Sequence, residues 1–311
     1  MTSERVSEEV PEVMAGERVD RFVSFAADVS RSVAVSLIAS GAVTVDGRPP
    51  TKPSERLVVG SVVVMEVPAE IDGLDADPDV EVPVVYEDDQ VIVVNKPAGM
   101  VVHPGAGVPR GTMVQGLLAR FPDLLEVGDD PLRPGVVHRL DKGTSGLLML
   151  ARNDEAHAHL SEQLADRTVL RRYLTLVWGS VGSSEGVIDA PLGRSDRDPT
   201  RQTVRADGRV ARTRYDVLDR FESYTFLQCR LETGRTHQIR VHLEAIAHPV
   251  VGDDRYARGK PEVGLGRPFL HATELGFEHP VTGELLRFDA PLPPDLARFL
   301  AGCQRIESEA T

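Results

Sequence analysis

The chain has 311 residues, enough for two domains, and its 41% hydrophobic and 27% charged residues are ordinary for a soluble globular protein. No apolar run reaches the ~18 residues a membrane span needs, and the polar, acidic N-terminus lacks the segments of a secretory signal, so a cytoplasmic protein is expected. The only cysteines, Cys229 and Cys303, exclude a disulfide framework and a cysteine-rich zinc module, and a net charge of −13 argues against a uniformly basic nucleic-acid binder.

Residues 1–14 carry Glu4, Glu8, Glu9 and Glu12 against Arg5 and read as a disordered acidic tail. A small module follows over 15–68. Val19, Phe22 and Val23 mark one helix face, and Val33, Leu37 and Ile38 mark another, stopped by Gly41. Val43-Thr44-Val45 reads as a strand turning at Asp46-Gly47, a hairpin signal, with a further strand at Val62–Val67. Residues 69–82, with Pro68 before them and Pro78 within, read as an acidic linker. The run 69–90 holds nine acids and no Lys or Arg. With the tail's −3 set beside this −9, the rest of the chain is near neutral, so a local basic patch is compatible with the acidic total.

A second domain is expected over 83–306, with a short tail at 307–311. Val91–Val94 is continuously apolar, as in a strand covered on both faces. Helices are expected at Thr112–Arg120, with Thr112 as N-cap, at Asp154–Leu164, and at Ile239–Ala247 before His248-Pro249. Strands are expected at Leu147–Ala151, Val169–Trp178, Tyr215–Leu218, Thr225–Leu231, Phe269–Ala272 and Leu285–Phe288. Many strands with few helices between them predict an α+β fold with a largely antiparallel mixed β-sheet.

Chemistry concentrates in His138-Arg139-Leu140-Asp141-Lys142-Gly143-Thr144-Ser145-Gly146, where one carboxylate sits between two cations and leads into an apolar strand. A glycosidase needs two carboxylates at a set separation, and no second one is marked. A metal site needs a cluster of ligands, and His237 and His242 are spaced i,i+5 rather than i,i+4. The residues alone leave two readings of Asp141 open, a covalent nucleophile and a turn cap. Seven arginines between Arg194 and Arg214, among them Arg201 and Arg205, form a basic loop suited to phosphates.

Two further segments accompany this one: Lys96-Pro97-Ala98-Gly99 through Val102-His103-Pro104, and Leu231-Glu232-Thr233-Gly234-Arg235-Thr236-His237-Gln238-Ile239-Arg240-Val241-His242. In this order and spacing the three resemble the pseudouridine synthases of the A/D type, which modify large-subunit ribosomal RNA. The opening Arg18-Val19-Asp20-Arg21-Phe22 and the turn Gly41-Ala42-Val43-Thr44-Val45-Asp46-Gly47 resemble the ribosomal S-four-type RNA-binding module.

The resemblance spans roughly residues 16–302, and its implications are specific. Asp141 would be the catalytic residue that attacks the target uridine, and Arg235 would pair with it. Arg139 would fill the space left by the extruded base, Tyr173 would stack on that base, and Leu270, in Phe269-Leu270-His271-Ala272, would wall the uracil pocket. Arg18, Arg21, Arg31, Arg48 and Lys52 would face folded RNA, joined by Arg201 and Arg205. The reaction involves no net redox change, so no cofactor and no metal are expected. The expected partner is 23S ribosomal RNA or the assembling large subunit, met by a monomer without membrane contact. Transfer RNA, another ribosomal site, and a non-catalytic RNA-binding assembly factor are the alternatives.

Overall fold

The computed structural model describes residues 3–27, 29, 31–68, 74–105, 108–198 and 200–305. The chain divides into two compact units, Met1–Gly73 and Leu74–Thr311.

The first unit runs β1 (Ser3–Glu9), α1 (Val19–Ala26), α2 (Arg31–Ala39), β2 (Val43–Val45) and β3 (Val62–Pro68), with the sheet in the order β1-β3-β2. Strict alternation along β3 buries Val63, Met65 and Val67, which pack with Val19, Phe22 and Val23 of α1 and Leu37 and Ile38 of α2. Asp46 and Gly47 both have positive φ, and Val45 and Arg48 close the turn through two backbone hydrogen bonds. β2 pairs with the distant β3 rather than across this turn.

The acidic tail expected at residues 1–14 is a correction, because Ser3–Glu9 is an antiparallel strand on β3. It carries no hydrophobic alternation because it is an edge strand, held by backbone pairing, with Val10 at its end as the buried anchor. The expected linker changes as well. Residues 69–73 lie outside the described residues, and so does the expected tail at 307–311. Leu74 is buried in the second unit's core, and the Asp77 N–H donates to the Gln115 carbonyl, so 74–82 is packed chain.

The second unit begins with β4 (Val84–Glu87), β5 (Val91–Lys96), α3 (Met113–Arg120), β6 (Ser145–Ala151) and α4 (Asp154–Ala165). There follow β7 (Leu170–Trp178), β8 (Glu185–Asp189), β9 (Leu192–Arg194), β10 (Gln202–Val204), β11 (Arg212–Arg220) and β12 (Tyr224–Leu231). The chain continues through α5 (Gln238–Ala245), β13 (Leu270–Glu278), β14 (Leu285–Asp289) and α6 (Pro294–Ala301). The main sheet has the order β4-β5-β6-β13-β7-β12-β11-β8, with β14 also on β13. Its pairs are antiparallel except β6 with β13, which makes a mixed sheet in an α+β fold.

Both faces of its centre are covered, which explains the uninterrupted apolar runs. Ile92, Val94, Leu148 and Leu150 point into one core with Met113 and Leu117 of α3. Val91, Val93, Leu147 and Met149 point into the other with Ala156 and Leu160 of α4. Gln115 accepts from the Thr112 N–H and hydroxyl at the start of α3, and Asn153 accepts from the Ala156 N–H at the start of α4.

Candidate active site

Asp141 lies on the loop that enters β6, and that loop is fixed from three sides. The Thr144 N–H donates to the Asp141 carbonyl, and the Gly99 N–H donates to the Lys142 carbonyl at 2.7 Å. Lys96, fully buried at the end of β5, donates to the carbonyls of Pro97 at 3.0 Å and Met100 at 2.8 Å. Burial pulls its ammonium down to about 7; the charge of Arg267 adds to this and that of Asp141 opposes it. At the start of β6, Arg267 donates to the Ser145 hydroxyl, which hydrogen-bonds His271 of β13 at 2.9 Å. Gly146 pairs with Ala272 so closely that a Cβ would stand 2.1 Å from the Ala272 carbonyl oxygen.

The partner of Asp141 is Arg240, whose Nη1 donates to Oδ2 at 3.1 Å. Asp253, fully buried, takes the other edge of the same guanidinium at 2.6 and 2.8 Å. Asp253 is itself held by the N–H groups of Arg255 and Tyr256. The guanidinium lies over the Tyr256 ring, 4.9 Å from its centroid. Burial works against the Arg240 charge, but Asp253 and Asp141 outweigh it and hold the pKa above its ordinary value. This is a fixed cation that orients the Asp141 carboxylate.

The pairing expected of Arg235 is therefore made by Arg240. The turn Thr233-Gly234 does not aim Arg235 at Asp141; its Nε donates to the Val210 carbonyl, and the side chain is exposed. The reason is helical geometry: α5 begins at Gln238, and its buried face carries Arg240 inward. A legible signal existed, since an arginine between Ile239 and Val241 on a buried helix requires a carboxylate partner.

Asp141, Arg139, Tyr173, Leu270 and Arg235 nonetheless line one cavity of about 50 Å³, together with Thr144, Leu231 and Ile239. Tyr173 and Leu270 are buried on neighbouring strands. Burial, with the Asp141 charge, raises the Tyr173 phenol, so it stays protonated at neutral pH. Asp141 and Arg139 also border a wide cleft of about 1160 Å³ that reaches residues 252–268. Arg139 is exposed and anchored by a 3.2 Å contact to His103 Nε2, while His103 Nδ1 engages the Pro104 carbonyl. Burial lowers the His103 pKa, which keeps this ring a neutral acceptor for Arg139. His138 accepts from the Met149 N–H, and burial takes it down to about 3, so it does not exchange protons near neutrality.

The sequence reading gives no role to two residues near the site: Asp253, which sets Arg240, and Thr144. The Thr144 hydroxyl is buried and has no hydrogen-bond partner among the described protein atoms. His237 and His242 engage separate partners, Tyr256 and the pair Thr213 and Ala190. No group of three potential ligands for a metal ion occurs among the described residues.

The remaining expected contacts are dispersed. Arg201 pairs with Glu244 and lies over Tyr256, and Arg205 is held by Asp196, Asp207 and the Arg194 carbonyl. In the first unit, Arg18 pairs with Asp20 and Arg21 with Glu17, whereas Arg48 and Lys52 are exposed. The side chain of Arg31 lies outside the described residues.

A family profile described as RNA pseudouridylate synthase matches residues 90–245, which hold Asp141, Tyr173 and Arg240. The chain is 44% identical over 297 residues to an uncharacterized RNA pseudouridine synthase, YlyB, of Bacillus subtilis, covering 94% of this chain and 96% of that protein. It is 43% identical to the ribosomal large subunit pseudouridine synthase D of Xanthomonas campestris, covering 97% and 93%. Among solved structures, human RNA Pseudouridylate Synthase Domain Containing 4 superposes with a TM-score of 0.56 at 26% identity, over 70% of this chain and 92% of that one.

Proposed function

The chain belongs to the RNA pseudouridylate synthase family, and we propose that it converts uridine to pseudouridine in 23S ribosomal RNA, in the manner of synthase D. The observation that carries this reading is the placement of an oriented carboxylate, Asp141 on Arg240, in one cavity with Tyr173 and Leu270. Its kinship with relatives named for the large ribosomal subunit supports the choice of RNA.

Asp141 attacks the extruded uridine, the bond between base nitrogen and sugar breaks, and the base turns. It rejoins through carbon 5 as the bond to Asp141 breaks and frees the carboxylate; the carbon 5 proton passes to water, and the released ring nitrogen takes up a proton in exchange. The atoms rearrange within one nucleotide, so the step consumes no oxidant, reductant or co-substrate. Tyr173 stacks on the base and Leu270 walls it; stacking on aromatic rings is a common way to hold unstacked bases. Arg139, exposed at the cavity mouth, occupies the space the base leaves in its stack, which offsets part of the few kcal/mol of flipping. The first unit acts as an S-four-type module, with Arg18, Arg21, Arg31, Arg48 and Lys52 toward RNA. We place the protein in the cytoplasm as a monomer, acting on the assembling subunit.

The test is release of tritium from carbon 5 of uridine in unmodified 23S RNA, in chelator, by wild type and Asp141→Asn. Wild type is expected to release it, while Asp141→Asn binds RNA and releases none. Full release by Asp141→Asn removes Asp141 from the chemistry. Release from transfer RNA but not from 23S RNA moves the substrate.

A further inference from the structure

Beside the catalytic cavity lies a larger groove of about 540 Å³, walled by β9, β10, the turn 205–209 and the loop Gly234–Thr236. Four arginines line it, Arg194, Arg205, Arg209 and Arg235, against one acid, Asp207. The lining therefore carries +3 in a chain whose total is −13. These arginines divide into two kinds. Arg205 is part of the wall: both oxygens of Asp207 and one of Asp196 hold its guanidinium, which also donates to the Arg194 carbonyl. Arg194, Arg209 and Arg235 are exposed and form no ion pair among the described residues, and Arg235 spends only its Nε, on the Val210 carbonyl.

The wall is rigid enough to present them. Arg209 and Leu192 exchange two backbone hydrogen bonds, at 2.8 and 2.9 Å. At Gly208 a Cβ would stand 2.6 Å from the Leu192 backbone, so the turn is sealed onto β9 at a position only glycine fits. Arg235 lines both this groove and the cavity holding Asp141 and Tyr173, so the two form one continuous surface.

We propose that this groove binds the RNA backbone next to the extruded uridine, with Arg194, Arg209 and Arg235 as its phosphate contacts. The inference rests on the reading of the chain as an RNA enzyme and assigns the contact to specific side chains. It also differs from the expectation for Arg201 and Arg205, whose guanidinium groups are already paired with carboxylates of the chain itself. Guanidinium groups without a carboxylate partner are the ones free to make bidentate bonds to phosphate.

The experiment is equilibrium binding of an unmodified 23S RNA transcript to the full chain across a KCl series, with thermal unfolding measured alongside. The variants are Arg194→Ala/Arg209→Ala, Arg205→Ala, and Arg298→Ala, an exposed arginine of α6 outside the groove. Each lost phosphate contact reduces the slope of log affinity against log salt by ~0.7–0.9. The double variant is expected to reduce the slope by about 1.5 and to weaken binding by roughly tenfold or more at moderate salt, with its unfolding temperature kept. Arg205→Ala is expected chiefly to lower the unfolding temperature. A double variant with the slope and affinity of Arg298→Ala overturns the proposal. Tritium release from the same transcript separates this result from the parent reading. A transcript that is bound but not isomerised, with the slope still reduced in the double variant, supports the groove and refutes the proposed function. A transcript that is isomerised with an unchanged slope refutes the groove alone.

Discussion

At Thr144 the demands of folding and of the proposed function oppose each other. Its hydroxyl is buried in the cavity that Asp141 lines, without a hydrogen-bond partner among the described residues, and a buried unsatisfied polar group costs about 1–3 kcal/mol. Valine has nearly the same shape and no such group. Thr144→Val is therefore expected to raise stability by up to about 1 kcal/mol, read from the denaturant midpoint, while weakening capture of the uridine and raising KM. A destabilised variant with unchanged KM would show that the hydroxyl serves the fold alone. The neighbouring lesson concerns Arg235 and Arg240. Both stand in one motif, and the resemblance assigns the pairing to Arg235. Which of two arginines five residues apart meets Asp141 depends on where α5 starts and which face is buried, and spacing alone does not supply that. Asp253 was illegible for a related reason: it is 13 positions beyond Arg240, and only the fold brings them together.

Among the elements, β6 and β13 bear the site, and theirs is the single parallel pairing of the main sheet among the described residues. It delivers Asp141 from the loop that enters one strand and Leu270 from the start of the other to the same cavity. The approach is possible because residue 146 has no side chain: its φ is +116°, and a Cβ would meet three backbone atoms of Ala272 between 2.1 and 2.7 Å. Backbone cannot give way as a flexible side-chain end can, so Gly146→Ala must separate the strands. We expect a loss of more than about 3 kcal/mol, in the range reserved for severe backbone and packing faults, with activity lost in step. A denaturant midpoint within experimental error of wild type contradicts the close approach. The strongly periodic elements were legible in the sequence: α1, α3, α4, β5, β6 and β7 follow from apolar spacing and caps. β8, β9 and β10 were not, because they are three to five residues long, partly exposed, and set among Gly, Pro and Asp. β1 was hidden because acidic side chains on an edge strand look like a solvated tail.

For the molecule as a whole, the question is how a chain of charge −13 meets a polyanion. Range decides it. The acids between 69 and 90 contribute to a field felt at a distance, whereas the arginines of the groove act within a contact or two. At ~10 mM salt the Debye length is about 30 Å and the whole charge acts on an approaching RNA; at ~150 mM it is about 8 Å and only the local patch does. Association is therefore expected to accelerate between these salt concentrations, while dissociation accelerates more, so the loss of affinity with salt resides in the dissociation rate. Stopped-flow mixing with labelled 23S transcript measures both. Neutralising the exposed Asp75, Asp79 and Glu81 to their amides should raise the association rate at ~10 mM salt and leave it nearly unchanged at ~150 mM. If association instead slows with salt from the lowest concentration, the groove's field dominates the encounter and the acidic run plays no part in it. With the expected rise, the acidic surface acts as a filter. It repels RNA that arrives in other orientations, and binding goes to encounters that bring phosphates directly onto the arginine groove.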